Sequence, residues 1–157
     1  MKTESRTRPV LTWQSAETDL PGRMLTLVYR VAKQTGRSQR TSTALCRRVL
    51  AAAPEVDRRC RDAAAERQVR ARVLVALRAD LAPRIERATL DAALRDAVLL
   101  DEVTQLPPRQ RFALWSTAVD RLTTAELATR TGWTPPQIAR LLRAALRTVT
   151  SSATLPE

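Results

Sequence analysis

An all-α fold is predicted for this chain of 157 residues, and three features of its sequence support that prediction. Only three residues are glycine, and alternating runs of β-branched residues, which are typical of strands, are almost absent. Only three Trp, one Tyr and one Phe are present, so a core must consist mainly of Leu, Val and Ala. Such a composition favours helices packed on helices. We expect an N-terminal helical bundle followed by a C-terminal helix-turn-helix domain.

Four segments are expected along the chain. Residues 1–19 show no helical period and are predicted to form a flexible arm. Residues 20–105 should form the helical domain, residues 106–150 the helix-turn-helix domain, and residues 151–157 a tail. The boundary between the two domains falls at a pair of prolines after residue 105, and a boundary near Pro83 is the alternative.

Two helices are expected at the start of the helical domain. The first covers residues 21–35 and stops at Gly36, and the second covers residues 41–53 and is ended by Pro54. One face of each helix should be buried. The residues expected on these faces are Leu25, Val28, Val31 and Ala32 in the first helix, and Leu45, Val49 and Ala52 in the second.

Two longer helices should complete that domain. One is expected over residues 55–82, before Pro83, and the next is expected to begin with Thr89 as its cap and to end at Pro107 and Pro108. The second of them carries four acidic residues and is the least basic part of the chain. Their predicted buried residues are Val56, Cys60, Ala63, Val73, Leu77 and Leu81, and then Leu90, Leu94, Val98 and Val103.

The charge balance indicates an anionic partner. Lys+Arg number 27 against 16 Asp+Glu, which gives a formal net charge of +11. All of these cations except Lys2 and Lys33 are arginine, whose guanidinium group binds phosphate oxygens and guanine edges. A GC-rich genome would also raise the arginine content, but it would not remove acidic residues. A nucleic acid or an acidic protein surface is therefore expected as the partner.

The positive charge is most one-sided between Asp19 and Glu55, where no acidic residue occurs. Seven cations lie in this stretch and should form a positive surface whichever helix faces they occupy: Arg23, Arg30, Lys33, Arg37, Arg40, Arg47 and Arg48. Because a surface of one sign repels itself, we expect a partner there, bound by Arg37, Arg40, Arg47 and Arg48. A solvated face without a partner is the alternative.

Several function classes are disfavoured by the same composition. The chain has two cysteines and no histidine, so zinc sites of the usual Cys/His kind and histidine-based catalysis are excluded. No pair of nucleophile and base and no set of metal ligands can be identified. We expect no catalytic residue, metal, cofactor or small-molecule substrate. No signal-peptide core or membrane-length apolar stretch is present, and a cytoplasmic protein without membrane contact is predicted.

Residues 106–150 contain the spacing of a helix-turn-helix. Thr123 with Glu126, and Thr134 with Gln137, have the spacing of capping boxes, in which two residues satisfy each other's backbone donors. Each box therefore predicts the first turn of a helix.

The residues between these boxes fit the same register. Pro135 suits the first turn of the second helix, and Gly132 suits a left-handed cap at the end of the first. Ala128 and Ile138 lie at the offsets at which two helices can cross closely. The alternative is a pair of amphipathic helices in an ordinary bundle.

Residues 97–149 resemble region 4 of bacterial sigma-70 factors, most closely those of the extracytoplasmic-function type. The sequence LPPRQR, an apolar helix and then TTAELATRTGWTPPQIARLL follow the order and spacing of that region. The resemblance implies a module that recognises the upstream promoter element, beside an apolar surface that holds RNA polymerase. It also implies a location in the bacterial cytoplasm, in association with the nucleoid.

A fainter similarity over residues 28–53 implies a degenerate sigma region 2, which in the family binds core polymerase and melts the promoter. Here TSTALCRRVL replaces the acidic, glutamine-containing helix of that region, and residues 50–100 contain no aromatic side chain that could stack on bases. Promoter opening by this chain alone is therefore not expected.

Candidate DNA contacts follow from the predicted recognition helix. Base edges should be read by Thr134, Gln137, Arg140 and Arg143, since glutamine can pair with adenine and arginine with guanine. Phosphate contacts are expected from Arg109, Arg111, Arg130 and Arg147. The other side of this helix is unusually apolar, which favours extra core, with a protein-docking face as the alternative: Leu141, Leu142 and Leu146.

Two functions remain open at this point. The first is a sigma-like transcription regulator that binds double-stranded promoter DNA and contacts RNA polymerase core or an accessory or sigma subunit. The alternative is an adaptor, similar to a co-sigma or anti-sigma protein, that binds polymerase or a sigma factor and has little specific DNA binding.

Overall fold

The computed structural model describes residues 19–57, 60, 62–153 and 155–156. These residues form seven α-helices and one short 3-10 helix, and they contain no strand, so the predicted all-α fold is confirmed. The predicted arm lies outside the described residues except for Asp19. The helices are α1 (Leu20–Gln34), α2 (Gln39–Ala51), α3 (Ala63–Leu81), α4 (Arg87–Gln105), α5 (Pro108–Ala118), α6 (Thr124–Thr131) and α7 (Pro135–Ser152), and the 3-10 helix is Pro54–Asp57.

Helices α1 and α2 form the predicted pair, but their buried faces differ slightly from the prediction. Leu25 is 48% exposed, because the buried side of α1 instead includes Met24 and Leu27, one residue before it and two after it. Ala52 is also exposed, since α2 ends at the preceding residue and the chain then turns Ala53 into the core.

The predicted helix over residues 55–82 is wrong at its beginning. Val56 is buried within the 3-10 helix, and α3 begins only at Ala63, which is exposed. The start of α3 is set by Asp62, whose carboxylate accepts a hydrogen bond of 2.8 Å from the Ala65 amide. The predicted cap at Thr89 is also wrong, because this residue lies within the first turn of α4.

Helix α4 connects two regions of core. Its first two-thirds pack with α1, α2 and α3 in the main core, where Leu94 and Val98 are fully buried. Its last turn, together with Leu106, packs on Ala145 and Val149 of α7. The chain after α7 returns to the bundle, where Ala153 and Leu155 pack against the main core. No helix among the described residues has the length and apolarity needed to span a membrane.

A network of buried charges joins four helices. Arg23 of α1 donates from Nε and Nη2 to the two carboxylate oxygens of Asp101 of α4, each at 3.0 Å. Arg70 of α3 donates from Nη1 to Asp101 at 2.9 Å and lies 2.6 Å from Glu102. The other terminal nitrogen of Arg70 donates to the carbonyl of Ser152 at the end of α7, at 3.0 Å.

Arg23 is therefore not part of a positive surface, and that prediction is wrong. Only 8% of the side chain is exposed, and Nη1 is 2.6 Å from a carboxylate oxygen of Glu66. Burial alone would lower the pKa of Arg23, but hydrogen bonds and attraction from Asp101 and Glu66 outweigh it and raise that pKa. The guanidinium thus remains charged inside the protein.

Candidate nucleic-acid interface

Both predicted capping boxes are present. The Thr123 hydroxyl accepts from the Glu126 amide at 3.2 Å, and the Glu126 carboxylate accepts from the Thr123 amide at 2.8 Å. Thr134 and Gln137 exchange the same pair of bonds at 3.4 and 2.9 Å. These bonds satisfy backbone donors that a helix leaves unpaired at its N-terminus, and they fix where α6 and α7 begin.

The turn between α6 and α7 follows the predicted register. Gly132 has the left-handed conformation, with φ of 75°, and its amide donates to the Ala128 carbonyl at 2.9 Å. Ile138 of α7 is completely buried against Leu127 of α6 and Ala113 of α5. Ala128 is half-buried beside this cluster. The three helices thus share one small core.

Two aromatic residues that the sequence reasoning did not single out also support this turn. Phe112 of α5 and Trp133, directly after the turn glycine, pack edge to face with ring centroids 5.9 Å apart and planes at 89°. Both rings pack against the cluster of Ala113, Leu127 and Ile138. The position of Trp133 directly after the turn glycine is the sequence feature from which this contact could have been predicted.

Helix α7 presents a row of arginines to solvent. Arg140, Arg143 and Arg147 are exposed, and their spacing of three and four places them on one face. The opposite side of the helix carries the buried residues Ile138, Ala145 and Val149. None of the three arginines forms an ion pair with a residue that the structure describes. We call this row the arginine stripe.

The two polar residues predicted to read bases lie at the N-terminal end of the same helix. Thr134 and Gln137 are exposed, but their side chains also form the second capping box. The Gln137 side-chain oxygen already accepts from the Thr134 amide. A bidentate contact with adenine uses both the oxygen and the nitrogen of a glutamine amide. Gln137 can therefore make such a contact only by giving up its part of the box.

The predicted phosphate ligands have different surroundings. Arg109 and Arg130 are exposed at the surface of α5 and α6. Arg111 is half-buried, and its Nη1 donates at 2.8 Å to the carbonyl of Thr104 near the end of α4. Arg111 therefore caps α4, while Arg147 lies on the arginine stripe.

The apolar residues of α7 divide into two groups. Leu141 and Leu142 are half-buried and pack against the core of the helix-turn-helix, as the extra-core interpretation expects. Leu146 is 51% exposed and lies next in sequence to Arg147.

The basic residues of α1 and α2 form a smaller positive surface than predicted. Arg40 and Arg47 are exposed, and Arg37 is half-buried. Arg48 is bound by Asp80 of α3, with Nε and Nη2 at 3.0 and 3.1 Å from the two carboxylate oxygens. The hydrogen bond from Arg48 is the main reason why the pKa of Asp80 is lowered. One of the four predicted partner-binding arginines thus already has an acidic partner within the chain.

The described residues hold no group of three or more His, Cys, Asp or Glu side chains that could bind a metal ion. The charged groups brought together by the fold are instead arginine and carboxylate pairs in the bundle and exposed arginines on the helix-turn-helix. Across residues 106–150, seven arginines face only two carboxylates. This part of the chain therefore carries an excess of positive charge, as nucleic-acid-binding surfaces do.

Comparison with known proteins assigns the C-terminal part. Residues 92–149 match the family model described as sigma-70, region 4. No curated protein and no solved structure gives a significant match to the chain. The match begins inside α4, five residues before the segment that resembles region 4, and it contains α5, α6 and all of α7 except its last three residues. The C-terminal part of this chain, with both capping boxes and the arginine stripe, is a sigma-70 region 4 domain.

Proposed function

We propose that this protein is a sigma-like transcription regulator that binds double-stranded promoter DNA through α7 and contacts RNA polymerase. A sigma-70 region 4 domain indicates a DNA-binding role related to RNA polymerase. The observation that carries the proposal is the arginine stripe, because three exposed guanidinium groups without acidic partners lie along the second helix of a helix-turn-helix. Such a helix enters the major groove with its N-terminal residues at the base edges.

Within this proposal, Arg140 and Arg143 read base edges with Thr134 and Gln137, and phosphates are bound by Arg109, Arg111, Arg130 and Arg147. Arg140 and Arg143 are the stronger candidates, because their guanidinium groups have no competing bond among the described residues. Phosphate contacts supply affinity and base contacts supply selection.

In this proposal, RNA polymerase binds the basic face of α2, by which we mean the surface that carries Arg40 and Arg47. Arg40 and Arg47 are exposed there, near Arg37, and no acidic residue lies between Asp19 and Glu55 to compensate them in sequence. The partner surface should accordingly be acidic. Core polymerase, or an accessory or sigma subunit, supplies it in this proposal, and the protein acts in the bacterial cytoplasm at the nucleoid.

An adaptor that hardly binds DNA is the second candidate. Two observations on α7 favour it. The side-chain amide oxygen of Gln137 is engaged in the capping box, and Leu146 is exposed next to the arginine stripe. A helix of this kind could pack on a protein instead of entering a groove.

The salt dependence of DNA binding separates the two candidates. A selected DNA site should bind the full chain with an affinity that falls on the order of a thousandfold or more between 50 and 200 mM salt, as expected for several phosphate contacts. In parallel, the chain should retain RNA polymerase from a bacterial lysate after nuclease treatment. Retained polymerase without salt-dependent DNA binding would favour the adaptor.

A further inference from the structure

A cleft between the N-terminal bundle and the region 4 domain lies at the end of the arginine stripe. It has a volume of about 530 Å³ and is bounded by α3 and α7. Its lining is mixed. Ala71, Leu74 and Pro156 form an apolar part, and the polar part consists of guanidinium groups from both helices and hydroxyl groups from the last turns of α7: Arg67, Arg70, Arg147, Thr148, Ser151 and Ser152.

The arginines of this cleft are not equally engaged. Arg70 is 96% buried, since 4% of its side chain is exposed, and it is held by Asp101, Glu102 and Ser152. Arg67 is 45% exposed, and its Nε lies 3.7 Å from the carboxylate of Glu102, beyond hydrogen-bond distance. Arg147 has no ion pair with a described residue. Arg67 and Arg147 therefore retain donors that can bind an oxyanion.

We propose that this cleft holds a backbone phosphate of the DNA bound by α7, so that α3 of the N-terminal bundle is part of the DNA-binding surface. The proposal rests on the proposed function. A phosphate diester fits because it is a compact anion, and two guanidinium groups from different helices can bind its oxygens together.

The cleft lies where a phosphate of bound DNA is expected, which favours DNA over a free anion as the source of that phosphate. Seven residues separate Arg140 from Arg147, which corresponds to about 10 Å along the helix, close to the width of the major groove. When the N-terminal end of α7 lies at the base edges, its C-terminal end leaves the groove beside the sugar-phosphate backbone. Arg147 then faces a flanking phosphate, and Arg67 faces the same phosphate from α3.

The test compares salt titrations of DNA binding by the full chain and three variants. Arg67→Ala should lower the slope of log K against log salt by about one unit, because one phosphate contact is lost. Arg67→Lys should retain most of the slope, since the charge remains. Arg72→Ala is the matched control: Arg72 is also an exposed arginine of α3, but it pairs with Glu55 and does not line the cleft.

The variants should remain folded, because Glu102 keeps Arg70 at 2.6 Å when Arg67 is lost, and equal thermal melting of variant and parent would verify this. If the parent binds DNA and Arg67→Ala keeps the parental slope, the cleft assignment is wrong and the proposed function stands. An equal decrease in Arg72→Ala would also overturn it, since net charge alone would then explain the effect. A parent that does not bind DNA would overturn both. Binding of inorganic phosphate that Arg67→Ala abolishes, with an unchanged DNA slope, would assign the cleft to a free anion instead.

Discussion

Arg23 and Asp101 are 78 residues apart in sequence, and their side chains meet in a buried pair with two parallel hydrogen bonds of 3.0 Å. The pair ties the first turn of α1 to the last turns of α4, and Arg70 extends it to α3 and to the end of α7. The charge pattern of the sequence predicts a surface position for Arg23, whereas the structure buries it. The burial of these charges makes the carboxylate of Asp101 the centre of the contact between the bundle and the region 4 domain.

The first prediction concerns Asp101. Replacing it by Asn should lower the free energy of unfolding by about 3–5 kcal/mol, because two buried guanidinium groups lose the anion they share. Urea denaturation of the full chain measures this. Asp96→Asn is the matched control, since Asp96 is exposed on the same helix, and its change should stay within about 0.5 kcal/mol. Equal stability of the two variants would mean that the network does not hold the helices together.

The second prediction concerns base reading by α7. Arg140→Ala and Arg143→Ala should each weaken binding to a selected DNA site by about 1–3 kcal/mol, with the fold retained, because each removes an exposed guanidinium from the stripe. Fluorescence anisotropy with selected and scrambled DNA measures the loss of selectivity. Arg95→Ala, an exposed arginine of α4, should bind as the parent does. Parental binding by both stripe variants would contradict the base-reading assignment and support the adaptor.

The third prediction tests the crossing of α6 and α7. Ala128→Leu should lower the free energy of unfolding by about 1–3 kcal/mol, because added methylene groups must fit beside the closed cluster around Ile138. Ala125→Leu provides the comparison, since Ala125 is exposed on the same helix. Unchanged stability and helix content in the Ala128 variant would show that its side chain has room to expand.

The fourth prediction separates the basic face of α2 from the DNA surface. Charge reversal of Arg40 and Arg47 to Glu should reduce co-purification of RNA polymerase and leave the salt slope of DNA binding unchanged. Both residues are exposed and lie on α2, outside the region 4 domain. Arg48 is a poor choice for reversal, because a glutamate there would repel Asp80. A lowered salt slope with normal co-purification would make α2 a second DNA-binding surface.

The fifth prediction follows from the pair of Arg48 and Asp80. The hydrogen bond from Arg48 lowers the pKa of Asp80 below its ordinary value of 3.8, so the folded state favours the ionised carboxylate. The stabilising contribution is therefore present above that ordinary value and is lost as the pH falls through the lower pKa of the folded state. The free energy of unfolding should be higher for the parent than for Asp80→Asn near neutral pH, and this difference should disappear in strong acid. A difference independent of pH would rule out the ionised pair as its cause.

The helix-turn-helix could be predicted from sequence because its determinants are local. Each capping box needs only two residues three apart, and Gly132 is favoured by its own backbone conformation. The start of α3 could not be predicted from the spacing of apolar residues. That spacing suggests one helix from residue 55, whereas residues 54–57 form a separate 3-10 helix and the cap at Asp62 starts α3.

The buried ion pairs could not be predicted from local sequence, because their partners come from distant parts of the chain. One signal was nevertheless present. Asp101 and Glu102 continue the apolar row of Leu94 and Val98 at helical spacing, so acidic residues occupy positions that face the core. Such positions need cationic partners, and Arg23 and Arg70 supply them.

Helix α4 contributes Leu94 to the main core and its last turn to the packing under α7, while Arg70 holds the carbonyl of Ser152. If α7 binds promoter DNA as proposed, the basic face of α2 keeps a set angle about the axis of the duplex. B-DNA completes one turn in about 10.5 base pairs, so moving the recognised element by about 5 base pairs along the promoter would carry a partner bound to α2 to the opposite side of the duplex. Under that proposal, the packed core of this chain, rather than the length of a linker, determines on which side of the promoter the partner lies.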